Sequence, residues 1–117
     1  MPIREHADWT EAIATAVKAA RNDEHNKKQK NYDSHVIINF LNMHYNTILN
    51  EIIYDYRRTG DGRKHADPVR EATNQIGRYI KRHLGQVRIG VRTSFRRIDL
   101  SDGSNRNGEC ECSIWEI

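Results

Sequence analysis

Residues 84–97, LGQVRIGVRTSFRR, contain the change of period on which the fold turns. Up to Leu84 the apolar residues recur every three or four positions. After Gly85 they alternate, with Val87, Ile89, Val91, Thr93 and Phe95 on one face and Arg88, Arg92 and Arg96 on the other. The stretch predicts a helix that stops at a left-handed glycine, then a strand over about 86–98. A polar loop with Asp102-Gly103 and Asn107-Gly108 leads on to ECECSIWEI at 109–117, where Cys110, Cys112 and Ile114 share a face. Together these predict a C-terminal antiparallel β-hairpin.

Working back from Gly85, Val69, Ala72, Ile76, Tyr79, Ile80 and Leu84 form one apolar side, and Asp67-Pro68 is a start signal, so a helix is predicted over about 68–84. Before it, Ile37, Phe40, Leu41, Tyr45, Ile48, Leu49, Ile52, Ile53 and Tyr56 keep helical spacing for five turns, which predicts one long helix over about 34–57, capped by Asp33 or Ser34 and stopped by Gly60 and Gly62. The first predicted helix, about 9–21, carries Trp9, Ala12, Ile13, Ala16, Val17 and Ala20 behind a capping box formed by Asp8 and Glu11. Between these two helices, residues 21–33 (RNDEHNKKQKNYD) are polar apart from Tyr32 and read as a solvated linker. The expectation is an α+β fold of three helices and a hairpin, in a single domain over 1–117.

With 37% hydrophobic and 30% charged residues, the chain has few apolar groups beyond those a thin core requires. Trp115 and Ile117 at the C-terminus need cover, from the helices or from the strands of a second copy, so a homo-oligomer through the C-terminal hairpin is expected. The opening MPIREHADW lacks the apolar run of a secretory leader, and no stretch approaches a membrane span. Cys110 and Cys112, at i and i+2 on a predicted strand, lack the geometry of an ordinary disulfide. Reduced thiols and a cytoplasmic location follow as expectations, with no membrane partner.

Charge is segregated along the chain. Residues 1–59 hold eight basic and eight acidic groups, whereas Arg57–Arg97 holds twelve Arg or Lys against three acids, a surplus of +9. Residues 98–117 reverse the sign, with Arg106 against five acids. A basic block of this kind suits phosphate-bearing partners, arginine above all where bidentate contact matters. The candidate ligand-binding residues are Arg57, Arg58, Arg63, Lys64, Lys81, Arg82, Arg88, Arg92 and Arg96. The Arg57–Lys64 loop is the preferred contact region, with Tyr54 and Tyr56 nearby as stacking surfaces. Two plainer roles stand beside this one. Cations near the end of the third helix complement its dipole, and the strand arginines face the prospect of pairing with Glu109, Glu111 and Glu116.

Motifs for catalysis are sparse. His6, His25, His35, His44, His65 and His83 are dispersed, without metal-ligand spacing, and His44 lies on the apolar stripe as a core histidine. No phosphate loop, nucleophile elbow or cofactor fingerprint is present, so neither a metal nor a cofactor is expected. Arg78 and His83 form R-x4-H on a predicted helix, which resembles the catalytic motif of the HEPN ribonucleases. The resemblance covers those two residues and implies an RNA-cleaving role for them. The leading expectation is a non-enzymatic module that binds a nucleic acid or nucleotide. The alternatives are a small protein-binding inhibitor or adaptor of phage or mobile-element type, and a HEPN-like ribonuclease.

Overall fold

The computed structural model describes residues 2–58 and 67–117, with the side chains of Arg57 and Arg58 outside that description. The expected contact loop Arg57, Arg58, Arg63 and Lys64, and the helix stop at Gly60 and Gly62, therefore lie outside the described side chains. Among the described residues the fold is mixed helix and sheet. It comprises α1 (Ala7–Asn22), α2 (Glu24–Gln29), β1 (Asn31–Asp33), α3 (Ser34–His44), α4 (Asn46–Arg58), α5 (Pro68–Arg82), β2 (Arg88–Arg96) and β3 (Gly108–Glu116), after a short 3-10 turn at Ile3–Glu5. The antiparallel sheet runs β1-β3-β2. None of these helices is long and apolar enough to cross a membrane.

α1 buries the six apolar residues that its spacing predicts, but it begins two residues early and without the capping box. His6 occupies the N-cap and makes no side-chain cap bond; its ring stacks on Trp9 at 3.6 Å between centroids.

The segment expected as a linker is structured. Asp23 accepts a hydrogen bond from the Asn26 amide to start α2, Lys30 stops it in a left-handed conformation (φ 61°), and residues 31–33 become the third strand. The physical reason is Tyr32. It is fully buried opposite Trp115, and its hydroxyl donates to Gln86 Oε1 at 2.8 Å. Burial pushes the Tyr32 phenol up to about 12, against the lowering influence of Arg21.

The long helix expected over 34–57 is two helices. Its stripe is continuous, and Ile37, Leu41, Leu49 and Ile52 are all buried, but Tyr45 leaves helical geometry (φ −138°, ψ 42°) between α3 and α4. The break coincides with asparagines that serve another element. Asn39, Asn42, Asn46 and Asn50 recur every three or four residues and bind the backbone that follows β2. Asn39 accepts from the Arg97 amide and donates to the Phe95 carbonyl. Asn42 accepts from the Asp99 amide at 2.7 Å, Asn46 and Asn50 both donate to the Asp99 carbonyl, and Asn50 accepts from the Ser101 amide. Side-chain amides thus do for residues 95–101 what a neighbouring strand does in a sheet. His44 is exposed against Phe40 rather than in the core, and among the described residues the buried histidine is His35, 4% exposed.

α5 starts as its sequence predicts. Asp67 Oδ1 accepts from the amides of Val69 and Arg70, Pro68 occupies the first turn, and Val69, Ala72, Ile76 and Ile80 are buried. The helix ends at Arg82, two residues early, and Gly85 at φ 65° turns the chain so that the Gln86 amide reaches the Ile80 carbonyl.

Candidate functional site

β1 is only three residues long and pairs with Ile114, Trp115 and Glu116, so the β3 edge from Glu109 to Ser113 has no strand beside it among the described residues. A cleft of about 790 Å³ borders that edge, with α5 and the start of α3 as its other walls. α5 turns Arg70, Asn74, Arg78 and Lys81 toward it, residues spaced by four, four and three and so on one side of the helix. β2 adds Arg88 and Arg96, and β3 adds Cys110, Glu111, Cys112 and Ser113. Ser34 and His35 enter from α3, where the Trp115 indole donates to Ser34 Oγ at 2.9 Å.

Five cations therefore share one cleft: Arg70, Arg78, Lys81, Arg88 and Arg96. The ion pairs among the described residues are Arg92–Asp33 and Lys27–Glu24, and neither involves any of these five. The acids of the cleft wall are Glu111 and Asp67, the latter already holding two amides of its own helix.

The strand arginines do not share a face as the alternation predicts. Arg88 pairs with Trp115 and Gly90 with Ile114, which leaves Ile89 as a bulge between them. Arg88 therefore lies on the face of Val91 and Ser113, and its Nε donates to Ser113 Oγ at 2.9 Å. Arg92 and Arg96 stay on the opposite face, across from Cys112 and Gly108. Glu111 and Glu109 stand across from Thr93 and Phe95, hence on the other face from Arg92 and Arg96. Arg92 instead bridges to β1, donating to Asp33 Oδ2 and Asn31 Oδ1, both at 2.9 Å, and does not line the cleft. Of the other expected contacts, Lys81 lines the cleft and Arg82, the next residue round the helix, does not. Arg78 lines it too, whereas His83 stacks on Tyr79 at 5.1 Å and does not, so the two R-x4-H residues face different surroundings.

The inner wall carries a compact cluster. His35 Nδ1 lies 2.8 Å from Ser94 Oγ and 3.1 Å from the Ser94 carbonyl, and Nε2 lies 3.5 Å from Cys110 Sγ. Cys112 Sγ lies 3.5 Å from Ser94 Oγ. Burial holds the His35 imidazole below its usual range, opposed by Asp33 and by the Ser94 hydrogen bond, while Arg96 adds to the lowering. Burial likewise pushes the Cys112 thiol up. Donor atoms of Asp33, His35 and Cys112 fall within 4.8 Å of one another, a spacing that suits a metal. The Asp33 carboxylate, however, already caps α3 through the Val36 amide and pairs with Arg92, so a guanidinium occupies the place of a cation beside it.

No protein-family model, curated protein or solved structure matches the chain. Arg70 was not among the expected contacts, because the apolar periodicity of α5 reports its buried side and carries no signal for which of its polar residues border a cleft. His35 and Cys110 had no local signal, being 75 residues apart in sequence.

Proposed function

We propose that the cleft between α5 and the free edge of β3 binds the phosphate groups of a nucleotide or of a short single-stranded nucleic acid. The observation that carries this is the convergence of Arg70, Arg78, Lys81, Arg88 and Arg96 on one cavity outside any described ion pair. Arg88 and Arg96 each spend Nε inside the protein, on Ser113 Oγ and the Arg106 carbonyl, but none of the cleft guanidinium groups is neutralised by a described carboxylate, and phosphate matches the fork geometry of their remaining donors. A volume of about 790 Å³ is in the range of small-molecule sites. A cytosolic setting, in which both cysteines stay reduced, accompanies this reading. Fluorescence polarisation with labelled nucleotides and single-stranded RNA tests it. Affinity should fall steeply as salt rises, and absent binding at low salt overturns it.

A second reading, self-association through the hairpin, is favoured by the state of β2. It is an edge strand, and Val87, Ile89, Val91 and Phe95 are about half exposed. The occupant we propose is β2 of a second copy, antiparallel about a two-fold axis. A register centred on Thr93 sets Val91 against Phe95 and Arg92 against Ser94 of the other copy. Registers centred on Arg92 or Ser94 oppose arginine to arginine, so the charge pattern selects the first. A Thr93→Cys chain should form an intermolecular disulfide on mild oxidation. A strictly monomeric mass by light scattering at high protein concentration removes this reading.

A further inference from the structure

Two cysteines sit two residues apart on one face of β3, and their surroundings differ. Cys112 Sγ has the Ser94 hydroxyl at 3.5 Å and the backbone amides of Ser34 and His35 beside it, and the His35 imidazole and Asp33 carboxylate stand within 4.8 Å of it without a hydrogen bond. Cys110 Sγ lies 3.5 Å from His35 Nε2. His35 is buried, and its other nitrogen meets the Ser94 hydroxyl at 2.8 Å, which can donate or accept, and the Ser94 carbonyl at 3.1 Å, which only accepts; the carbonyl favours the tautomer with the proton on Nδ1. Nε2 is left with its lone pair toward Cys110. A thiol, a base within reach, and a third group that orients the base are the parts of an activated nucleophile. Both residues line the cleft that also holds the five cations.

We infer that Cys110 is a nucleophilic thiol with His35 as its general base, and that the pair acts on a phosphate ester held in the cation-lined cleft. The inference rests on the proposed phosphate site for its substrate, but not for the reactivity of the thiol. The Cys110 proton passes to His35 Nε2, and the thiolate attacks phosphorus. The S–P bond forms as the P–O ester bond breaks, and the leaving oxygen takes the proton from His35. Water then loses a proton to His35 and attacks phosphorus. The S–P bond breaks, inorganic phosphate departs, and the thiolate recovers the proton from His35. The net reaction is hydrolysis, with no redox partner. Arg96, near enough to lower the affinity of His35 for a proton, helps to keep the base neutral, and the cleft cations offset charge that develops on the phosphoryl oxygens.

The test uses the full chain and needs no natural substrate. Iodoacetamide labelling at neutral pH, read by mass spectrometry at each cysteine, should modify Cys110 about tenfold faster than Cys112. His35→Gln should bring Cys110 down to the rate of Cys112. Tripolyphosphate should slow Cys110 labelling in the wild type, and p-nitrophenyl phosphate should be hydrolysed by the wild type but not by Cys110→Ser. Equal labelling of the two cysteines in the wild type overturns the dyad whatever the cleft binds, and that comparison stands even if His35→Gln does not fold. Fast Cys110 labelling without protection by tripolyphosphate overturns the phosphate site instead. Protection without Cys110-dependent hydrolysis overturns the catalytic step alone.

Discussion

The two flanks of the hairpin treat polar side chains in opposite ways. Against α3 and α4, the segment Phe95–Ser101 is bound by four asparagines whose amides meet backbone donors and acceptors, and Asn42, 7% exposed, makes two bonds to Asp99. Against α5, the groups that face the sheet are Arg70, Arg78 and Lys81, and they meet across open space rather than in ion pairs among the described residues. The lesson is that saturation separates the two roles. A polar group with every partner inside the chain is part of the scaffold, and its loss costs stability. One left with open donors around a cavity contributes little to folding and has its use in binding.

That contrast is broken most sharply by charge reversal in the cleft. Replacing Arg78 and Lys81 with Glu should weaken nucleotide or oligonucleotide binding by about a hundredfold at low salt, since each lost charged hydrogen bond is worth about 1.5 kcal/mol or more. The urea midpoint should fall only slightly, by the favourable charge that Lys81 places in the last turn of α5, because both side chains are exposed. A large fall in the midpoint with unchanged binding would place these residues in the scaffold.

Asn42→Ala should do the reverse. It leaves the Asp99 amide without its 2.7 Å acceptor, and unfolding free energy should drop by about 2 kcal/mol while binding is unchanged after refolding. Urea denaturation with a constant m-value measures this. No change in midpoint would mean that water replaces the asparagine and that the ladder is decorative.

How much of this was legible in the sequence follows the same division. The apolar positions of α1, α3, α4 and α5 were readable because periodicity reports burial directly, as Ile13, Leu41, Ile52 and Ile76 bear out. The third strand was hidden because its evidence is one aromatic, Tyr32, whose partner Trp115 is 83 residues away. The break at Tyr45 was hidden because an uninterrupted apolar stripe does not register an asparagine ladder alongside it. In the site, sign and rough location of the basic block were visible, but a single bulge at Ile89 moved Arg88 to the other face, and period-two reading has no means to foresee a register shift. The Cys110–His35 contact joins β3 to α3 and exists only in three dimensions.

A smaller effect concerns His35 and pH. Burial lowers its folded-state affinity for protons below that of a free imidazole, which titrates at about 6.5, so the unfolded chain binds the proton more readily. Stability is then complete above 6.5 and falls as pH drops through the window just below it. The charged and titratable groups around the ring are Asp33 on β1, Arg96 on β2 and the thiols of Cys110 and Cys112 on β3; Asp33 favours protonation and Arg96 opposes it. Urea midpoints taken between neutral pH and the onset of carboxylate titration should slope downward toward acid, and His35→Gln should flatten that slope.

The smallest expected change in stability belongs to Val91→Lys. Val91 is 45% exposed on the edge strand, so the monomer should lose no more than about 0.5 kcal/mol. A charge at that position faces Phe95 of the second copy in the proposed register and blunts the edge as lysines do in natural sheets. Association measured by light scattering should therefore disappear while nucleotide binding persists or tightens, because Val91 lines the cleft beside Arg88 and the new charge adds a cation to that wall. If association and binding were lost together, the cleft would depend on the second copy, and the separation drawn between scaffold and site would have to be moved from the single chain to the dimer.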